Sequence, residues 1–223
     1  WDGITDLTGW LLSEKLDGVR ALWDPVARIF ISRGHKVYAA PEWFKADMPD
    51  MVLDGELWLG RGRFNECSGI CRRGVGKPGA DAAWRGIRFV AFDAPLVDGT
   101  AVQRFAAVDA ACKGRTYAVA HQHLVCTEPA ALAGLLKIVV AAGGEGLMAR
   151  KPDSRYLGHR STSLLKIKLF KDCDAVVLGV EPGAGKHAGR MGALRVRMVD
   201  SGVEFKVGSG FSDKERDNAA ALY

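Results

Sequence analysis

The segment Glu14-Lys15-Leu16-Asp17-Gly18-Val19-Arg20 follows an apolar run, Trp10-Leu11-Leu12, that reads as a strand. Side chains alternate along an extended chain, so Lys15 and Asp17 are expected on one side. Gly18 permits an immediate turn, and Arg20 then aims back at whatever Lys15 holds. A lone lysine is ordinarily a solvated surface residue. One that leaves a hydrophobic strand beside a carboxylate and a turn glycine is better placed as a nucleophile. Attack requires the neutral amine, against an unperturbed pKa of about 10.4. Partial burial and neighbouring cations both penalise the ammonium form, so a basic cluster that binds phosphate also helps to activate the lysine.

Outward from this segment, β-type runs dominate: Trp10–Ser13, Val19–Trp23, Arg28–Ser32, Val52–Leu59, Ile87–Phe92 and Tyr117–Val125. Helical patterns fall at Ala39–Ala46, Arg104–Ala111 and Pro129–Ala142. The two kinds mix without regular alternation, which excludes a doubly wound nucleotide fold and predicts an α+β chain of antiparallel sheets with helices. Composition shifts after Lys168. Strand patterns at Ala175–Val180, Leu194–Val199 and Glu204–Gly208 surround a glycine-rich loop, Pro182–Gly192, and a helix begins near Ser212. That is the front of a small β-barrel. With a boundary at Phe170–Cys173, the predicted domains are 1–170 and 171–223.

The 223 residues are 48% hydrophobic and 26% charged, ordinary for a globular chain and unlike a disordered one. The formal charge of +5 is not spread evenly. Arg61–Lys77 carries +4 and Arg150–Arg190 carries +5, on a body that is mildly acidic. Two such stretches suit a polyanion, although solvated loops would read the same way. The most apolar helical run, Leu132–Gly143, is too short for a membrane span and is interrupted by Gly134 and Lys137. A start at Trp1 is expected of a processed or trimmed chain. Five cysteines lack zinc-ligand spacing and read as buried or reduced thiols, with a Cys67–Cys71 disulfide open only in an oxidising compartment. His121 and His123 share a strand face without a third ligand and read as surface residues.

Five further segments carry chemistry: Ser32-Arg33-Gly34, Leu53-Asp54-Gly55-Glu56-Leu57, Phe89-Val90-Ala91-Phe92-Asp93, Glu145-Gly146-Leu147-Met148 and Leu164-Leu165-Lys166-Ile167-Lys168. After Lys15-x-Asp17-Gly18-x-Arg20, which resembles motif I, they resemble motifs Ia, III, IIIa, IV and V of the covalent nucleotidyltransferases. Those are the ATP-dependent DNA ligases, RNA ligases and mRNA-capping enzymes. One short match carries little weight; six in the correct order carry much. The resemblance implies a nucleotidyltransferase domain in which Lys15 takes AMP from ATP. Glu14, Leu16, Arg20, Arg33, Glu56, Phe92, Lys166 and Lys168 would surround the nucleotide. Glu56 could accept from ribose hydroxyls, and Phe92 would stack on adenine for roughly 1–3 kcal/mol. On its alternating pattern alone, Phe92 would be a core residue. Lys166 and Lys168 alternate along a strand and so project to one side, costly unless a polyanion lies between them. Glu145 and Asp17 would place a Mg2+ or Mn2+ ion near the α-phosphate.

The C-terminal glycine-rich series, from Leu178 through Gly192 to Val207-Gly208-Ser209-Gly210-Phe211-Ser212-Asp213, resembles the OB-fold domain of DNA ligases more than that of capping enzymes. Ser32, Arg33, Arg72, Arg73, Lys186 and Arg190 would then contact DNA. No Arg-x-Asp-Lys match to motif VI follows Lys168, and a five-strand OB barrel is expected to be incomplete at the C-terminal end. The wording Ser13-Glu14-Lys15-Leu16-Asp17-Gly18-Val19-Arg20 resembles the minimal bacterial ligase E group. The resemblance implies a monomeric ATP-dependent DNA ligase for nicked double-stranded DNA, without a membrane partner and with a place in DNA repair. It also implies a periplasmic location, the alternative being the cytoplasm with the nucleoid. The alternatives in function are an RNA ligase or capping-type enzyme, and a non-catalytic nucleic-acid-binding relative.

Overall fold

The computed structural model describes residues 1, 3–73, 77–169 and 173–222. Packing divides the chain into two units, Trp1–Leu169 and Phe170–Tyr223. The expected boundary at Phe170–Cys173 falls largely on residues 170–172, which lie outside the described ones, as do 74–76 of the first basic stretch.

In the first unit the elements run β1 (Leu11–Glu14), β2 (Val19–Asp24), β3 (Ile29–Ser32), β4 (Val37–Tyr38), α1 (Glu42–Ala46), β5 (Leu53–Trp58), α2 (Phe64–Arg72) and α3 (Ala80–Trp84). They continue with β6 (Arg88–Asp93), α4 (Ala101–Cys112), β7 (Ala118–Ala120), β8 (Leu124–Val125), α5 (Pro129–Ala141), β9 (Leu147–Arg150) and β10 (Leu164–Ile167). Two sheets result, ordered β4-β3-β2-β5-β6-β7 and β10-β9-β1-β8.

Alternation along β2 buries Val19, Ala21 and Trp23 and leaves Arg20 exposed. Trp23 meets Phe30 at 4.8 Å between ring centroids, and Phe30 meets Phe89 at 5.0 Å. Phe44 of α1, Cys67, Ile70 and Cys71 of α2, and Trp84 of α3 complete this core. The smaller sheet buries Leu12, Leu147, Ala149 and Ile167 against Leu132, Leu136 and Val139 of α5, whose i, i+4, i+7 spacing forms one apolar stripe. Its opposite face carries Ser13, Met148 and Lys166, which the antiparallel register sets side by side.

Several elements differ from the sequence reading. The run Tyr117–Val125 is not one strand. β7 ends at Ala120 in the larger sheet, pairing in parallel with β6, and β8 begins at Leu124 in the smaller sheet. His121 to His123 form the crossing between sheets, which a period-two pattern does not reveal. The antiparallel expectation therefore fails at one strand pair. Helices α2 and α3 fall outside the helical patterns of the sequence. Asn65, Glu66, Gly69 and Arg72 of α2 face solvent, and Cys67, Ser68, Ile70 and Cys71 face inward. The cysteines are free thiols, with four buried and Cys173 exposed.

The second unit holds β11 (Ala175–Pro182), β12 (Met191–Met198), β13 (Glu204–Val207), α6 (Asp213–Asp217) and α7 (Ala219–Leu222). The strands form an open antiparallel sheet ordered β11-β12-β13, and no closed barrel exists among the described residues. Met191, Leu194, Val196 and Ala219 make its small core. Ser212 and Glu215 form the capping box that starts α6. No helix among the described residues is long and apolar enough to cross a membrane.

Candidate active site

β1 ends at Glu14, and the next residue leaves the ladder: the Lys15 amide donates to the Gly146 carbonyl at 2.8 Å. This close approach depends on the loop before β9. At Gly146, with φ +144°, a Cβ would lie 2.3 Å from the Ile167 carbonyl oxygen, so only glycine fits. Glu145 is thereby held beside Lys15, and its carboxylate accepts from the ammonium groups of both Lys15 and Lys168. Burial pushes the Glu145 carboxyl upward, but these two hydrogen bonds outweigh it and hold the group below its ordinary value.

Gly18 serves differently from the expected turn. Its φ is not left-handed; instead a Cβ there would lie 2.4 Å from the Leu57 carbonyl oxygen. The missing side chain lets β2 close on β5, and the Gly18 amide donates to Glu56 Oε1 at 3.1 Å. Desolvation raises the Glu56 pKa to about 7, against the opposing pull of Lys15 and the Gly18 N–H. Arg20 does not reach back to Lys15. Its Nε donates to Asp54 Oδ1 at 3.0 Å while Nη2 donates to Oδ2, and the Tyr156 hydroxyl donates to Oδ2 at 2.9 Å. The guanidinium also lies 5.6 Å from the centroid of the Phe92 ring.

Between the two sheets is a cavity of about 310 Å³ lined by residues from both, including Glu14, Lys15, Leu16, Arg20, Arg33, Glu56 and Phe92. Phe92 is therefore a wall of the cavity rather than a member of the core. Lys166 sits on the cavity-facing side of β10 by register, is exposed and does not line the cavity, whereas Lys168 reaches Glu145. Asp17 is directed elsewhere. The Trp58 indole donates to its Oδ1 at 3.1 Å and the Gly62 amide to its Oδ2 at 2.8 Å, so its carboxylate fastens the chain. Ser32 ends β3, and its hydroxyl accepts from the Lys36 amide at 2.9 Å. Arg72 and Arg73 are exposed at the end of α2. In the second unit Lys186 is exposed, but Arg190 is occupied by Asp213 at 3.1 Å and Asp217 at 3.7 Å.

His121 and His123 are not surface residues. Both line the cavity. His121 Nε2 is 2.8 Å from the Glu14 carbonyl oxygen, and the His123 ring stacks on Phe105 with centroids 3.8 Å apart. Burial, then the neighbouring His121 and Arg150, drive the His123 pKa down to about 3. Arg150 also borders the cavity, joined to Asp93, which in turn pairs with fully buried Arg104. Sequence reasoning missed Phe105, Arg150 and Arg61. Arg61 lay in the recognised basic stretch, but nothing local indicated a partner forty-seven positions away.

Comparisons with known proteins place this geometry. The ATP dependent DNA ligase domain family matches residues 6–168, and the DNA ligase OB-like domain family matches 182–222. A DNA ligase of Haemophilus influenzae is 31% identical over 214 residues, covering 95% of this chain and 76% of that protein. DNA ligase B of Mycobacterium tuberculosis is 35% identical over 106 residues, 47% of this chain and 20% of its own. A solved Lig E DNA ligase superposes with a TM-score of 0.86 at 35% identity, over 96% of this chain and 82% of that one. Chlorella virus DNA ligase-adenylate shares the fold, with a TM-score of 0.60 at 23% identity over 93% and 78%.

Proposed function

Because the chain belongs to the ATP-dependent DNA ligase family, we propose that Lys15 is its nucleophile and that it seals nicks in double-stranded DNA as a monomer. The enzyme is an ATP-dependent DNA ligase, and its overall chemistry joins DNA ends at the expense of ATP. The observation that carries the assignment is the Lys15–Glu145–Lys168 cluster at the edge of a cavity walled by Phe92 and Glu56.

In the first step the deprotonated Lys15 Nζ attacks the α-phosphorus of ATP. A nitrogen–phosphorus bond forms, the bond to the bridging oxygen breaks and pyrophosphate leaves. AMP then passes to the 5′-phosphate at the nick, freeing Lys15, and the 3′-hydroxyl displaces AMP to close the strand. All three are in-line displacements in which positioning and charge neutralisation dominate. Phe92 offers its face to the adenine, and ionised Glu56 accepts from the ribose. Lys168 neutralises phosphate oxygens, and Lys166 projects from the cavity-facing side of β10. Arg20 is fixed on Asp54 at the cavity wall, and Arg33 at the rim is left for the 5′-phosphate of the nick.

The family implies a divalent ion. No group of three or more His, Cys, Asp or Glu residues among the described ones is arranged to cage a metal. A hydrated Mg2+ or Mn2+ needs only one or two carboxylates together with substrate phosphates, and the partly exposed Glu145 meets that requirement. Asp17 keeps free lone pairs as well, but its carboxylate is fastened to Trp58 and Gly62, whereas Glu145 contacts the Lys15 amine. When bound, the ion would supply screening of phosphate charge; orienting the nucleotide falls to the side chains above.

The test is incubation with ATP labelled at the α-phosphate, followed by a denaturing gel and nicked duplex DNA. Wild-type chain retains label and seals the nick, and Lys15→Ala retains none. Labelled Lys15→Ala would remove the assignment.

A further inference from the structure

We infer that Arg61 is a positioning residue: the turn after β5 clamps the segment that carries Lys15 and presents its amine to the α-phosphate. The inference rests on Lys15 being the nucleophile. Arg61 lies in the basic stretch read as a phosphate footprint, yet its fork is already used. Its Nε donates to Glu14 Oε1 at 2.7 Å and its Nη2 to Glu14 Oε2 at 2.8 Å. Two parallel hydrogen bonds to one carboxylate set its orientation as well as its distance.

The same turn grips the other side of the nucleophile. The Gly62 amide and the Trp58 indole hold both oxygens of Asp17, at 2.8 and 3.1 Å. Lys15 is thus bracketed, one residue before and two after, by side chains anchored to the end of β5 and the turn that follows it. From the remaining side, Gly146 accepts the Lys15 amide and His121 Nε2 meets the Glu14 carbonyl, each at 2.8 Å. Backbone contacts fix where the Lys15 Cα sits. The Arg61 fork fixes the rotation of the chain immediately before it, and hence the direction in which the amine leaves. The Lys15 side chain is about one-quarter exposed and its amine contacts Glu145, so its approach depends on that contact and on how its backbone is attached. A misplacement of about 1 Å in such a reactant can cost about 100-fold in rate.

A DNA contact and a clamp differ in which step they serve. Closing a nick whose 5′-phosphate already carries AMP uses the 3′-hydroxyl as nucleophile and does not require attack by Lys15. The experiment therefore compares full-length Arg61→Ala and Arg61→Lys with wild type in single-turnover Lys15 adenylation, KM for ATP, sealing of a pre-adenylated nick and nick affinity. Arg61 is partly exposed, and loss of a surface ion pair leaves folding intact. Arg61→Ala is expected to lower the maximal adenylation rate about 10- to 100-fold, with KM, pre-adenylated sealing and nick affinity within about twofold of wild type. Arg61→Lys falls between, because an ammonium holds the carboxylate at one point without the fork. Unchanged adenylation overturns the clamp, and so does a parallel loss of pre-adenylated sealing and nick affinity, which makes Arg61 a DNA contact. Wild-type chain that forms no AMP adduct on Lys15 would instead overturn the nucleophile assignment.

Discussion

Lys15 and Glu145 are 130 positions apart in sequence and in direct contact in the fold, joined by an ion pair across the end of β1. The same carboxylate holds Lys168, so one anion balances two cations that a nucleotide's phosphates would otherwise satisfy. Replacing Glu145 with Gln keeps the shape and removes the charge. Single-turnover adenylation should fall about 100-fold, within the range for losing one electrostatic contact to a developing transition state. Folding should be little affected, because the pair is partly exposed. A rate within threefold or so of wild type would show that Glu145 is a spectator.

Glu56 ties activity and stability to pH in opposite directions. Its pKa is raised to about 7 from the ordinary 4.5 of a glutamate, mainly by burial. The folded free protein therefore favours the protonated carboxyl. The stability this gives is fully present below about pH 4.5 and lost as pH rises through about 7. Glu56→Gln should therefore stabilise the unliganded protein relative to wild type at pH 8, by up to roughly 3 kcal/mol, with the difference vanishing near pH 4.5. Denaturant melts at the two pH values measure it. An ionised carboxylate accepts more strongly from ribose hydroxyls than a neutral carboxyl does, so the wild-type KM for ATP should improve between pH 6 and 8 and lose that inflection in the variant.

β2 was readable because its burial alternates residue by residue, and the runs before Lys15 and Glu56 because short β-type stretches of apolar residues mark buried strands. So were α4 and α5, whose buried faces repeat with helical period. The meeting of Lys15 with Glu145 and Lys168 had to come from family resemblance, since no local pattern encodes contacts over such separations. His121 and His123 escaped because alternation cannot distinguish a strand from a crossing that happens to place every second side chain inward. Alternation placed Asp17 on the side of Lys15, whereas its carboxylate meets Trp58 and Gly62: the chain leaves the strand after Glu14, and from there parity no longer sets direction.

Asp93 should be the least replaceable polar residue in the first unit. It and Arg104 are both fully buried, with Arg104 Nε donating to Asp93 Oδ1 at 2.6 Å, and Arg150 donates to Oδ2 at 3.3 Å. Arg104 also donates to the carbonyls of Gly99 and Ser154, tying α4 to the segment after β9. Asp93→Ala would leave a guanidinium uncompensated in the interior. Urea unfolding should show a loss of roughly 3–5 kcal/mol. A loss under 1 kcal/mol or so would mean that water or a rearranged carboxylate replaces the partner.

His123 supplies the test of the cavity wall. Its ring is parallel to within 14° of Phe105, and with a pKa of about 3 it stays neutral throughout the working range of pH. It should therefore act as a flat apolar surface and not as an acid or base. His123→Phe is expected to preserve adenylation and its pH profile. His123→Ala opens space beside Phe105 and should raise KM for ATP about tenfold, as for lost packing worth about 1.4 kcal/mol, with a smaller change in the maximal rate. If His123→Phe instead abolished adenylation while the protein remained folded, the imidazole nitrogen would be needed for the chemistry, and the apolar role would fail.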